Sequence, residues 1–133
     1  MSEQGLSEAG AWKYLIETLT MLAVDASDQT TWLDKYRLEP DDLAEDYAVA
    51  KHAVWILVEA GCIDVAMESR LAHIDAILDV MSGPEQAARW TYEALTTDAG
   101  WLTVRRLART ALTELAGTWQ QPLPVLGIYG GSP

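Results

Sequence analysis

The apolar residues of this chain return every three or four positions almost from end to end, a spacing that builds one-sided helices and leaves little that could pair as strands. Trp12, Leu15, Ile16, Leu19, Leu22 and Ala23 make the first such stripe, with Ser7 placed to cap it, Leu6 before the cap, and an end near Val24. A short helix or turn follows over 27–36, capped by Ser27 and carrying Trp32 and Tyr36 one turn apart. Pro40 suits the first position of a long helix, because its missing N–H has no helical partner there. Leu43, Tyr47, Ala50, Val54, Leu57 and Val58 form the stripe of that helix, and Gly61 ends it. From Ala53 to Val58 it is apolar on nearly every side, which places it at the centre of a bundle. Asp64 caps a helix with Leu71, Ile74, Ile77, Leu78 and Met81 inward. "SGP" at 82–84 breaks it, and Pro84 opens another helix through Trp90 and Ala94 to about Thr96. Asp98 caps the last, with Trp101, Val104, Ala108, Ala111, Leu112 and Leu115 inward as far as Gly117.

The fold class that follows is all-α, a single compact bundle of five or six helices over residues 1–117. Residues 118–133, rich in proline and glycine, form an extended C-terminal tail packed on the bundle or on a partner, with Leu123, Val125, Leu126 and Ile128 turned inward. Half of the 133 residues are hydrophobic, which suits a globular chain even at a net charge of -11. The single cysteine, Cys62, allows no internal disulfide, fits a reducing compartment and reads as a buried, inert thiol. The N-terminus has no basic stretch leading into an apolar core, and "HAVWILV" falls far short of the ~20 residues of a membrane span, so a cytoplasmic protein is expected. His52 and His73 read as packed or boundary residues, and no glycine-rich phosphate loop precedes a helix. The tryptophans read as packing residues, Trp119 excepted. No cofactor is implied.

One stretch stands apart. "LEPDDLAEDY", residues 38–47, holds Glu39, Asp41, Asp42, Glu45 and Asp46. Behind Pro40, Asp41, Asp42 and Glu45 read as first-turn acids, each stabilised by roughly 0.3–1 kcal/mol at the positive end of the helix dipole. Asp41-Asp42-x-x-Glu45 also resembles the D-D-x-x-[DE] box of helical terpenoid synthases, which implies magnesium held by paired carboxylates. Asp42-x-x-Glu45 is similar to the first E-x-x-E pair of small all-α nucleotide pyrophosphohydrolases. The second pair of that pattern, E-x-x-D, is missing among Asp64, Glu68, Asp75 and Asp79, whose spacings suit the solvated face of a helix.

Charge is distributed unevenly. Residues 1–98 contain 19 acids and six basic residues, while 99–133 contain Arg105, Arg106, Arg109 and Glu114. An acidic body disfavours direct contact with nucleic acid or an anionic membrane and attracts a protein with a basic surface. Small, acidic, all-helical chains without catalytic equipment are similar to bacterial immunity proteins and other protein inhibitors. The expected role is therefore non-catalytic: inhibitor or immunity-like partner of a basic protein, bound through Glu39, Asp41, Asp42, Glu45 and Asp46. A Mg²⁺-dependent hydrolase of a nucleotide or diphosphate using the same acids is the alternative, and an apolar-ligand carrier or homodimer subunit a further one. Arg105 and Arg109, one turn apart, are expected to project together from the last helix, as an anion site or in pairs with the chain's own carboxylates.

Overall fold

The computed structural model describes residues 7–126 and is all-helical over them, with no strand. Seven α-helices follow in order: α1 (Glu8–Ala23), α2 (Ala26–Tyr36), α3 (Pro40–His52), α4 (Val54–Glu59), α5 (Val65–Val80), α6 (Tyr92–Thr97) and α7 (Ala99–Ala116), with a 3₁₀ helix over Pro84–Trp90 between α5 and α6. α1 and α7 pack on one another at the centre, α3 and α4 lie against α1, and α5 closes the bundle against α3 and α7. The core joins Leu15, Leu19 and Leu22 of α1 to Leu43 and Tyr47 of α3, Leu71 and Ile74 of α5, and Trp101, Val104, Ala108 and Leu112 of α7. None of the helices among the described residues is long and apolar enough to cross a membrane.

Local chemistry sets the ends of these helices. Ser7, Asp64 and Asp98 accept backbone N–H groups from Gly10, Met67 and Gly100, at 2.9, 2.8 and 2.7 Å, which satisfies first-turn donors that have no helical partner. Gly61 and Gly117 take the left-handed backbone, φ +80° and +89°, just beyond α4 and α7. Arg37 does the same at the end of α2, φ 59°, so there a residue with a Cβ carries the turn into α3.

Three segments differ from expectation. The long helix from Pro40 divides at Ala53, where bonds from Ala53 N to Ala50 O and from Ile56 N to Ala53 O tighten the ladder to a three-residue step. The buried stripe Leu43, Tyr47, Ala50, Val54, Leu57 runs through this division unshifted, and no proline or glycine marks it. The helix expected over 84–96 is a 3₁₀ turn followed by α6. Thr91 is extended, caps α6 through Ala94 N, and separates the two. The 3₁₀ turn buries no residue and is held by two indoles: its own Trp90 Nε1 donates to Met81 O at 2.8 Å, and Trp101 Nε1 of α7 donates to Arg89 O at 2.7 Å. Finally, α2 is capped at Asp25, not Ser27.

Arg105 and Arg109 of α7 turn back onto α1, while Arg106 is exposed. α1 has no glycine beyond it, so its last carbonyls need side-chain donors. Arg105 Nε donates to Val24 O at 3.0 Å, Arg109 Nε to Ala23 O at 2.6 Å, and Gln29 Nε2 to Met21 O at 2.8 Å. Arg105 Nη2 also reaches Gln29 Oε1 (2.8 Å) and Leu95 O (2.9 Å), so one guanidinium joins α7 to α1, α2 and α6. Burial and the neighbouring Arg109 push its pKa below the ordinary arginine value.

Beyond α7, Arg109 stacks on the Trp119 ring, Trp32 Nε1 donates to Pro124 O at 2.8 Å, and Leu126 N donates to the Tyr36 hydroxyl at 3.1 Å. Leu126 is half-buried, whereas Leu123 and Val125 are exposed; Leu6 and Ile128 lie outside the described residues. The arginine network gives a direct test. Arg105→Ala strips several carbonyls of their donor at once and should cost about 3 kcal/mol in urea unfolding. Arg105→Lys should recover less than half of that, because an ammonium cannot reproduce the planar fork.

Candidate functional site

The five acids divide into three roles. Glu39, extended, precedes α3, and its N–H donates to the Asp42 carboxylate at 2.8 Å. Asp42 is therefore a capping residue, and only Asp41 and Asp42 belong to the first turn. Glu45 and Asp46 lie a turn further on, where the dipole's influence has faded. The expectation of Glu45 as a first-turn acid is corrected accordingly; Glu39 and Asp42 form the capping box of α3, and helix capping leaves Glu45 and Asp46 without an explanation.

The helical repeat sorts these side chains by face. Asp42 and Asp46, both half-buried, flank the Leu43–Tyr47 stripe and line a cleft of about 480 Å³ with Tyr14, Tyr36, Leu38 and Leu126. Asp41 and Glu45 are exposed and border a second cleft of about 430 Å³, whose far wall is Ser82, Gly83, Pro84, Ala87 and Trp90. The ion pairs of the described residues are Lys13–Glu17, Arg70–Glu114, Arg89–Asp98 and Arg109–Asp25, and none of them uses an α3 acid. Desolvation by burial, then the charges of Asp42 and Glu45, hold the Asp46 carboxyl above the usual aspartate value. Among the described residues no group of three or more His, Cys, Asp or Glu side chains is gathered as a metal would need.

The same outer face continues beyond the acids. Asp41, Glu45, Ala48, His52, Trp55 and Glu59 follow one another at helical spacing and are all exposed. Trp55 is 56% exposed, which corrects the expectation that 53–58 lies at the centre of the bundle, and Val49 of α3 is equally exposed. Sequence reading missed Trp55 because "HAVWILV" is apolar throughout and does not say which flank is left uncovered.

The remaining candidates fall elsewhere. Arg105 and Arg109 are brought together at the end of α1, where both donate to backbone carbonyls, Arg105 also donates to Gln29, and Arg109 pairs with Asp25, one of the chain's own carboxylates. His52 and His73 are exposed, and so is Cys62, which corrects its assignment as a buried thiol. No family model, curated protein or solved structure matches the chain.

Asp46 yields a pH-dependent expectation. Its folded pKa is raised, so the folded state holds this proton more tightly than the unfolded chain and loses stability as pH rises from about 3.9, the unfolded aspartate value, through the folded value. At neutral pH the ionised carboxylate destabilises the fold. Asp46→Asn should therefore unfold at higher urea than the parent at pH 7, and the difference should shrink as pH falls towards 4.

Proposed function

We propose that this chain is a non-catalytic binding protein that docks a basic protein surface on the outer side of α3 and α4, in the manner of an inhibitor or immunity-like partner. The observation that carries this reading is the pairing, on one helical face, of acids that no cation of the described residues neutralises with an exposed tryptophan. Tryptophan is enriched among the residues that dominate binding energy, and a large exposed aromatic costs solubility unless a partner covers it. Glu39, Asp41 and Glu45 supply long-range attraction and register, Asp42 and Asp46 line the adjacent cleft, and Val49 and Trp55 supply apolar area to bury. Such a division gives fast, salt-sensitive association through the carboxylates and slow dissociation through the aromatic. A cytoplasmic setting is part of the proposal, in keeping with the lone cysteine.

Capture from the native host's lysate with the tagged chain should recover a stoichiometric protein of high isoelectric point. Its affinity should fall steeply between low and physiological salt. Asp41→Asn with Glu45→Gln should flatten that salt dependence, and Trp55→Ala should cost about 2 kcal/mol of binding. A partner indifferent to all three changes would place the interface elsewhere. Millimolar Mg²⁺ should leave the melting temperature unchanged, whereas a site filled to 100 times its Kd would add about 2.7 kcal/mol and return the hydrolase to consideration.

A further inference from the structure

Beside the exposed face lies a cleft whose walls differ in chemistry. One wall is two half-buried carboxylates, Asp42 and Asp46, one turn apart on α3. The others are the Tyr14 ring of α1, Tyr36 at the end of α2, Leu38 beyond it, and Leu126. Its volume, about 480 Å³, is that of a small-ligand site and ample for a single long side chain. The walls are fixed in several ways. The Tyr36 hydroxyl accepts from Leu126 N, Leu38 O accepts from the Tyr92 hydroxyl at 3.1 Å, and Tyr36 packs edge-on to Trp32, with ring centroids 5.2 Å apart. Asp42 already accepts from Glu39 N, whereas the Asp46 carboxylate takes part in none of the hydrogen bonds or ion pairs found among the described residues.

A small inorganic cation has no use for aromatic and aliphatic walls, and a purely apolar group would strip water from Asp46 without replacing it. An arginine side chain meets both demands. Its aliphatic stem covers Leu38 and Leu126, its planar guanidinium lies against a tyrosine face, and its N–H fork donates to carboxylate oxygens. We infer that the cleft between α1, the α2–α3 turn and α3 is the receptor for one arginine side chain of the basic partner. The inference rests on the binding-face reading above and deepens it, by assigning the cleft the anchoring contact and the outer acids the steering. Asp46 is then half-buried and without a cation among the described residues because its counter-ion arrives with the partner.

The test uses an acetylated, amidated hexa-arginine peptide, titrated calorimetrically against the full chain at low salt, with hexa-lysine as comparison. Asp46→Asn and Glu45→Gln each remove one charge from neighbouring residues of α3. If the cleft is the receptor, Asp46→Asn weakens hexa-arginine by at least about tenfold, the strength of a charge-assisted contact, and Glu45→Gln by about twofold. Leu126→Ser, which leaves every charge in place, should also weaken the peptide, and hexa-lysine should bind less tightly than hexa-arginine. Equal losses for Asp46→Asn and Glu45→Gln, with Leu126→Ser silent, overturn the cleft while leaving the acidic face intact. Failure of the parent chain to bind hexa-arginine also overturns the cleft, and the face then stands or falls on capture of the partner.

Discussion

The bundle depends on how the C-terminal end of α1 is satisfied. A helix buried at the centre of a small domain leaves its last carbonyls facing other protein, where each unpaired group costs about 1–3 kcal/mol. Here Met21, Ala23 and Val24 find donors in Gln29, Arg109 and Arg105, contributed by α2 and α7. Because Arg105 reaches Leu95 O as well, the short α6 is positioned by the same guanidinium. Positive charge at the end of a helix is also favourable to its dipole, which offsets part of the desolvation that lowers the Arg105 pKa. No buried side-chain nitrogen or oxygen among the described residues is left without a partner.

Most of the fold was legible in the sequence because capping chemistry is local. Ser7, Asp64 and Asp98 stand where they cap, and Gly61 and Gly117 where the backbone must turn left-handed, all within a few residues of the helix they bound. The core stripe of α3 and α4 was readable for the same reason, but the tight turn at Ala53 that divides them leaves no residue-type signal. The helix expected from Pro84 to about Thr96 failed on competition between local options. Thr91 can cap a new helix as readily as continue an old one, and Trp90 is held by a carbonyl of the preceding segment. The destinations of Arg105 were not legible at all, since their acceptors include backbone carbonyls 81 and 10 residues away, which have no residue identity.

The acidic stretch shows the same division between local and tertiary information. That Asp42 serves a helix end could be read from Pro40 and the spacing. That Asp46 is half-buried against like charges could not, because it shares its cleft with Tyr14 of α1 and with Leu126, far away in sequence. A carboxylate that weakens the fold at neutral pH is the kind of residue expected where stability and binding make opposed demands. The cost is tolerable here because the strain is confined to the outer flank of α3, while Leu43 and Tyr47 on the same helix remain fully packed and Tyr47 donates to Leu71 O at 2.7 Å.

Leu126 belongs to two structures at once. It belongs to the segment fastened by Trp119 on Arg109, by Pro124 O on Trp32 and by its own N–H on Tyr36, and it is also a wall of the cleft that holds Asp46. Occupancy of the cleft and attachment of this segment are therefore thermodynamically linked, and linkage is reciprocal. Whatever fills the cleft against Leu126 clamps the strap, and whatever peels the strap from Trp32 and Tyr36 dismantles the cleft. If the cleft receives a partner as proposed, a protease, a fused tag or a modification acting near residue 126 would alter affinity without touching a single carboxylate, a remote handle on recognition.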